Sequence, residues 1–216
     1  MISLRPLFFV LMLLPASLLA QETSDYRDYA QAAGADLPLY RAPAARGYGN
    51  RFNGTYLIDN QDFLTGEVCY SGKVYSGLLL HVDAVAQHVL LRREGSPILL
   101  DLGRERVDWF CRDGRRYVNL PARGVKVPEG FYEEVRKGRG AVYRRVDKVL
   151  QRLPGGSGSA REYIGYQDPN YREGLLDYYQ WKETWYQVKE DGSVKRLRGK
   201  RAIEKALQYV GTRVPD

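Results

Sequence analysis

From Phe52 onward, short runs of apolar and β-branched residues alternate with turn-forming residues at close spacing. That texture predicts an antiparallel meander, because a strand exposes every second side chain on one face and hairpins need only a few residues to reverse. The runs are Tyr56 to Ile58, Gly66 to Tyr70, Val74 to Val82, Val89 to Arg92, Ile98 to Leu102, Val107 to Cys111 and Arg116 to Leu120. Their punctuation is Ser71-Gly72-Lys73, Glu94-Gly95-Ser96-Pro97 and Arg112-Asp113-Gly114-Arg115, each with a glycine where a tight turn calls for positive φ. Such connections leave no room for crossover helices, so a parallel sheet is not expected.

Phe131 to Arg136 and Ala141 to Leu150 flank Lys137-Gly138-Arg139-Gly140 and read as a further hairpin. Val142, Val146, Val149 and Leu150 also fit a helical period, and the strand is preferred. Residues 154–160, PGGSGSA, form a flexible loop. They lack the Lys-Ser/Thr ending of a phosphate cradle. Glu162 to Tyr166 and Asp177 to Val188 are rich in tyrosine and tryptophan, and Glu190-Asp191-Gly192 turns the chain into Ser193 to Leu197. Ile203, Ala206, Leu207 and Val210 recur at helical spacing before Gly211, which predicts a closing amphipathic helix. The fold class expected is mainly β: a curled antiparallel meander of eight to ten strands, an open barrel-like sheet, with a short C-terminal amphipathic helix.

The first twenty residues change the context of that sheet. A single Arg5, an apolar stretch from Leu7 to Leu14 and a small Ala20 form the pattern of a secretory signal peptide cut after Ala20. Pro15 interrupts the run, and spanning a bilayer needs about 20 apolar residues. Residues 21–50 read as an N-terminal arm with one short helical possibility around Tyr26, Tyr29, Ala30 and Ala33, and residues 51–216 as a single β-rich domain. The expected location is outside the cytoplasm, in the periplasm or in association with an outer membrane.

With 33 Lys and Arg against 26 Asp and Glu, the chain carries +7, and loss of Arg5 leaves 32 − 26 = +6. A basic exported protein meets anionic lipid, acidic glycan or an acidic envelope protein, with peripheral membrane contact, and no nucleic acid. Two His and two Cys are too few for a zinc ribbon or an iron–sulfur cluster, so neither a metal nor another cofactor is expected. In an oxidising compartment, Cys69 and Cys111 are expected to form one disulfide.

The stretch Phe63 to Asp83, FLTGEVCYSGKVYSGLLLHVD, followed by Ile98-Leu99-Leu100, Val107 to Phe110, Gly130-Phe131-Tyr132-Glu133, the Asp-Gly hairpin and the final helix, resembles a class of exported, uncharacterised β-rich proteins of the Bacteroidota. The likeness covers most of Leu39 to Val210. It implies export and a β-rich fold and brings no functional residue with it. In outline the curled meander is also similar to periplasmic lipid or lipoprotein carriers, a likeness of architecture that does not fix function.

His81 and Asp83 stand two apart in a strand, so both point to one face, and a carboxylate beside an imidazole is how a general base is oriented. His88 could join them as a third ligand or base. No nucleophile elbow accompanies them. Glu133 and Glu134 point to opposite faces and cannot share a substrate. Tyr179, Trp181 and Trp185 share one strand face and could stack on a ligand, while Tyr178, Tyr186 and Val188 share the other. Lys195, Arg196, Arg198, Lys200 and Arg201 form the densest positive run. The function expected from these features is an exported, non-enzymatic binding module of the bacterial cell envelope, using Tyr179, Trp181, Trp185, Lys195, Arg196, Lys200 and Arg201. The alternative is a small exported hydrolase or metal enzyme centred on His81 and Asp83.

Overall fold

The computed structural model describes residues 37–48, 52–60, 62–152 and 177–208. The signal peptide, the arm helix, the loop at 154–160, the run from Glu162 to Tyr166 and the Gly211 cap lie outside them. The chain divides into Met1–Arg41 and Ala42–Asp216. Within the first unit, Pro38–Arg41 makes one 3-10 turn, closed by the Tyr40 N–H donating to Leu37 O.

The second unit is built on eleven strands in one sheet: β1 (Phe52–Asn53), β2 (Leu64–Tyr70), β3 (Lys73–Asp83), β4 (His88–Arg92), β5 (Leu99–Asp101), β6 (Val107–Arg112), β7 (Arg115–Val118), β8 (Tyr132–Arg136), β9 (Ala141–Arg152), β10 (Asp177–Val188) and β11 (Val194–Leu197). Among the described residues one α-helix, α1 (Lys200–Gln208), follows. Two meanders, β2 to β5 and β6 to β10, join edge to edge where β2 pairs with β6. The expected mainly β, curled meander with its closing helix is therefore what the chain forms. Two details differ. Tyr56 to Ile58 contributes one isolated bridge, Leu57 to Asp83, and no strand. The sheet is also mixed, because β1 lies parallel to β10. These two strands are far apart in the chain, so the crossover limit on parallel neighbours does not apply to them.

Turn chemistry explains the hairpins. Ser71 and Gly72 have φ of 51° and 77°, and Asp113 and Gly114 have 53° and 67°. Two successive left-handed residues are what a two-residue hairpin loop requires to match strand twist. At the seam between the meanders, Gly66 lies so close to β6 that a Cβ there would sit 2.1 Å from Cys111 O. Any side chain would push the strands apart beside the bulge between Gly66 and Glu67.

The sheet does not close, but two irregular pieces carry its curl. Where β8 ends alongside β9, the β3–β4 turn takes its place: Lys148 N–H donates to Ala84 O, and the Gln87 amide donates to Val146 O and Ala84 O while accepting from Phe131 N–H. Where β2 begins too late to flank the end of β3, the stretch after β1 runs beside it, with Ile58 N–H on Val82 O and Ala84 N–H on Tyr56 O. Both faces of the sheet are consequently covered in places. Leu80, His81, Val82 and Asp83 are buried in succession, which a half-wet strand would not allow.

Three apolar clusters lie within the described residues. Val118, Tyr132, Tyr143 and Tyr186 pack under Leu120, Val125 and Val127. Leu57, Phe63 and Leu90 pack with Leu79 and Leu99. On the other face of β9 to β11, Val142, Leu197 and Trp185 receive Ile203, Ala206 and Leu207 of α1. The helix is amphipathic as its spacing predicts, and Lys200 and Arg201 open it.

Candidate functional site

Strand alternation does place His81 and Asp83 on one face of β3, but their partners differ. Val82 N–H donates to His81 Nδ1 at 2.8 Å, so the ring proton sits on Nε2 and donates to Asn60 O at 2.8 Å. Arg112 Nη2 lies 3.2 Å from that same nitrogen as a neighbouring donor. Burial and the Arg112 charge lower the His81 pKa to about 4. With both nitrogens engaged and 0% of the residue exposed, the ring is a structural crosspiece between β3 and the loop at 59–62. Asp83 instead accepts from Tyr48 OH at 2.8 Å and from Val85 and Ala86 N–H, while burial raises its pKa. His88 binds Asp101 at 2.6 Å. Among the described residues, no group of three His, Cys, Asp or Glu could hold a metal ion.

The His81 geometry has a consequence for stability. Its ordinary pKa is near 6.5, so the unfolded chain takes up a proton before the folded protein does. Stability is then full above about pH 6.5 and falls as the pH drops toward 4. A full shift of this size would be near 3 kcal/mol, and we expect about 2 kcal/mol, because the charged ring regains some water when the loop at 59–62 opens. Arg112 from β6 and Asp59 from the loop are the charges that face it. Urea unfolding of the parent and His81→Gln at pH 7 and pH 4.5 should show a shallower pH dependence in the variant. Identical slopes would remove His81 from the acid response.

The cysteines are both free thiols, which corrects the expected disulfide. They lie on adjacent strands, yet Cys69 is in register with Trp109 and Cys111 with Glu67. Diagonal neighbours of this kind sit about 7–8 Å apart, beyond disulfide reach. The Cys69 thiol donates to Asp108 Oδ2 at 3.4 Å, and burial with that carboxylate pushes its pKa up to about 11.

The aromatic trio is not one platform. Tyr179 is buried and T-shaped against Tyr48, and Trp185 is half-buried beneath α1. Trp181 remains 43% exposed, with Lys148 Nζ 5.6 Å from its ring. The basic run is split in the same way. Lys195 pairs with Gln187 and Arg196 with Tyr186, so the two point to opposite faces of β11. Lys200 sits 3.8 Å from Glu204, one helical turn on, and Arg201 is exposed beside it.

Arg196 lines a cleft of about 170 Å³ on the sheet face shared by β9, β10 and β11. Its other walls are Arg145, Asp147, Lys182, Thr184 and Tyr186, with Pro128 at one side. Registers explain the convergence: Arg145 pairs with Thr184, Asp147 with Lys182, and Tyr186 with Arg196. Arg145 is fully committed, holding Asp147 through Nε at 2.9 Å and Nη2 at 2.6 Å, and donating through Nη1 to Pro128 O and Glu129 O. Sequence reasoning missed Arg145, Lys182 and Thr184. The alternation Lys182, Thr184, Tyr186 along one strand was the available signal, but it does not show which neighbouring strand completes the wall.

No family model, curated protein or solved structure matches this chain.

Proposed function

We propose that the chain is an exported, non-enzymatic binding module of the bacterial cell envelope that engages anionic groups on lipid or envelope polymer. The observation that carries this is the cleft on β9 to β11: Lys182 and Arg196 line it together, and among the described residues neither has a carboxylate within salt-bridge distance. Cations are normally interspersed with acids on a protein surface, so two that converge beside a single carboxylate already held by Arg145 create a local field that attracts anions. Lys195, Lys200 and Arg201 lie close by in the chain and add long-range attraction, while Trp181 lies on the opposite face of β10 from the cleft.

The test is sedimentation with vesicles of anionic or zwitterionic lipid, and with an acidic envelope polymer, at low and physiological salt. Replacing Lys195, Arg196, Lys200 and Arg201 by Gln should weaken anionic binding about tenfold at low salt, a loss of about 1.4 kcal/mol, and the difference should shrink as salt is added. Thermal stability should be unchanged, since all four are surface residues. Failure of the unmodified protein to bind any anionic partner at low salt would refute the proposal.

A further inference from the structure

We infer that the β9–β10–β11 cleft is a site for a single phosphoryl group, a phosphate monoester by chemistry, which rests on the anion-binding reading above and sharpens it. Size narrows the ligand first. Pockets that enclose a whole drug-sized molecule run from about 300 Å³ upward. At about 170 Å³ this cleft suits a compact head group.

Charge narrows it further. Asp147 is the one carboxylate in the wall, and the Arg145 fork already neutralises it. Lys182 stands opposite Asp147 in register, yet it makes no salt bridge to it. The walls are thus left with the charges of Lys182 and Arg196, which match a dianion better than a carboxylate.

The floor supplies the third element. Thr184 is 7% exposed, and its hydroxyl makes no side-chain hydrogen bond with the described residues, although it borders the cleft. It is not one of the buried polar atoms left without a partner, so the hydroxyl is open to whatever enters the cleft. Along β10 and β11 Thr184 stands between Lys182 and the Tyr186–Arg196 pair. Lys182 and Thr184 come from β10 and Arg196 from β11, on the same face of the sheet. Donors from two strands and a recessed floor suit a tetrahedral oxyanion, with the Arg196 fork taking two oxygens and Lys182 acting as a point charge.

The experiment uses the full chain and three probes at constant ionic strength: inorganic phosphate, glycerol phosphate, and acetate. Binding is read by titration calorimetry and by the concentration-dependent rise in melting temperature that a native-state ligand produces. Phosphate and glycerol phosphate should bind and acetate should not. Lys182→Gln with Arg196→Gln should lower phosphate affinity at least tenfold, Thr184→Val several-fold, and Lys73→Gln, an exposed lysine on β3, not at all. Equal binding of acetate and phosphate, or an unchanged affinity in the Lys182/Arg196 double variant, would overturn the assignment. Either result alongside intact vesicle binding would leave the broader anion-binding proposal standing. A second arm compares vesicles bearing phosphatidic acid, a monoester, with vesicles bearing phosphatidylglycerol, a diester. Preference for the monoester, competed by soluble glycerol phosphate, identifies a lipid source. Monoester vesicles that bind without such competition would overturn the site, because bulk surface charge would then account for the attraction.

Discussion

Arg112→Ala should lower the unfolding free energy by about 4 kcal/mol, the largest effect expected from any single side chain here. The Arg112 side chain is 1% exposed. Its Nε donates to Leu80 O at 3.1 Å, Nη1 to Asp59 Oδ2 at 3.1 Å and Nη2 to Asp62 O at 2.9 Å. Truncation strands two backbone carbonyls and a carboxylate, each at a desolvation cost of about 1–3 kcal/mol, and leaves a cavity in their midst. Asp59 keeps Arg115 at 3.3 Å, which is why the loss is not greater. Arg112→Lys retains the charge but cannot span three acceptors, and should lose roughly half as much. Urea denaturation at pH 7 measures both. A loss below about 1 kcal/mol would mean that the loop at 59–62 is held by its neighbours and not by this guanidinium.

Gln87→Ala should cost about 3 kcal/mol and should also loosen the curl of the sheet. The side chain is buried, with Nε2 donating to Val146 O at 2.8 Å and Ala84 O at 3.1 Å, and Oε1 accepting from Phe131 N–H at 3.2 Å. It therefore does for the end of β9 what a continued β8 would do. Gly130 confirms how tight this joint is, since a Cβ there would lie 2.7 Å from Gln87 Oε1. Hydrogen exchange separates local opening from global loss. The amides of Phe131 and Lys148 should exchange faster in Gln87→Ala than the lowered global stability alone requires, whereas amides at the β2–β6 seam should follow the global change. Uniform acceleration would show that the β3–β4 turn is not a separate clasp.

The hairpins and the helix were legible in the sequence because their causes are local. Left-handed φ at Ser71-Gly72 and Asp113-Gly114 is a matter of Cβ sterics within two residues, and the apolar period of α1 lies within nine. From such cues follow most strands from β2 to β11, the faces of β10 and the shared face of His81 and Asp83. Whether a candidate residue is usable was not legible. His81 and Asp83 share a face as expected, but Asn60, Val82 and Arg112 claim the one, and Tyr48, Val85 and Ala86 the other.

What the chain's own order of residues determined, then, is the inventory of strands, their turns and the alternation of their faces. Tertiary structure alone decided which edges meet. The β2–β6 seam, the parallel β1–β10 pair and the clasp at Gln87 join residues that no turn connects. That non-local pairing put Cys69 and Cys111 out of register and set Arg145 and Asp147 of β9 beside Thr184 and Lys182 of β10 to complete the cleft. The physical reason is that a strand has two equivalent hydrogen-bonding edges and a two-residue side-chain period. Its partner and register are set by which buried faces and free edges remain once the whole sheet has curled.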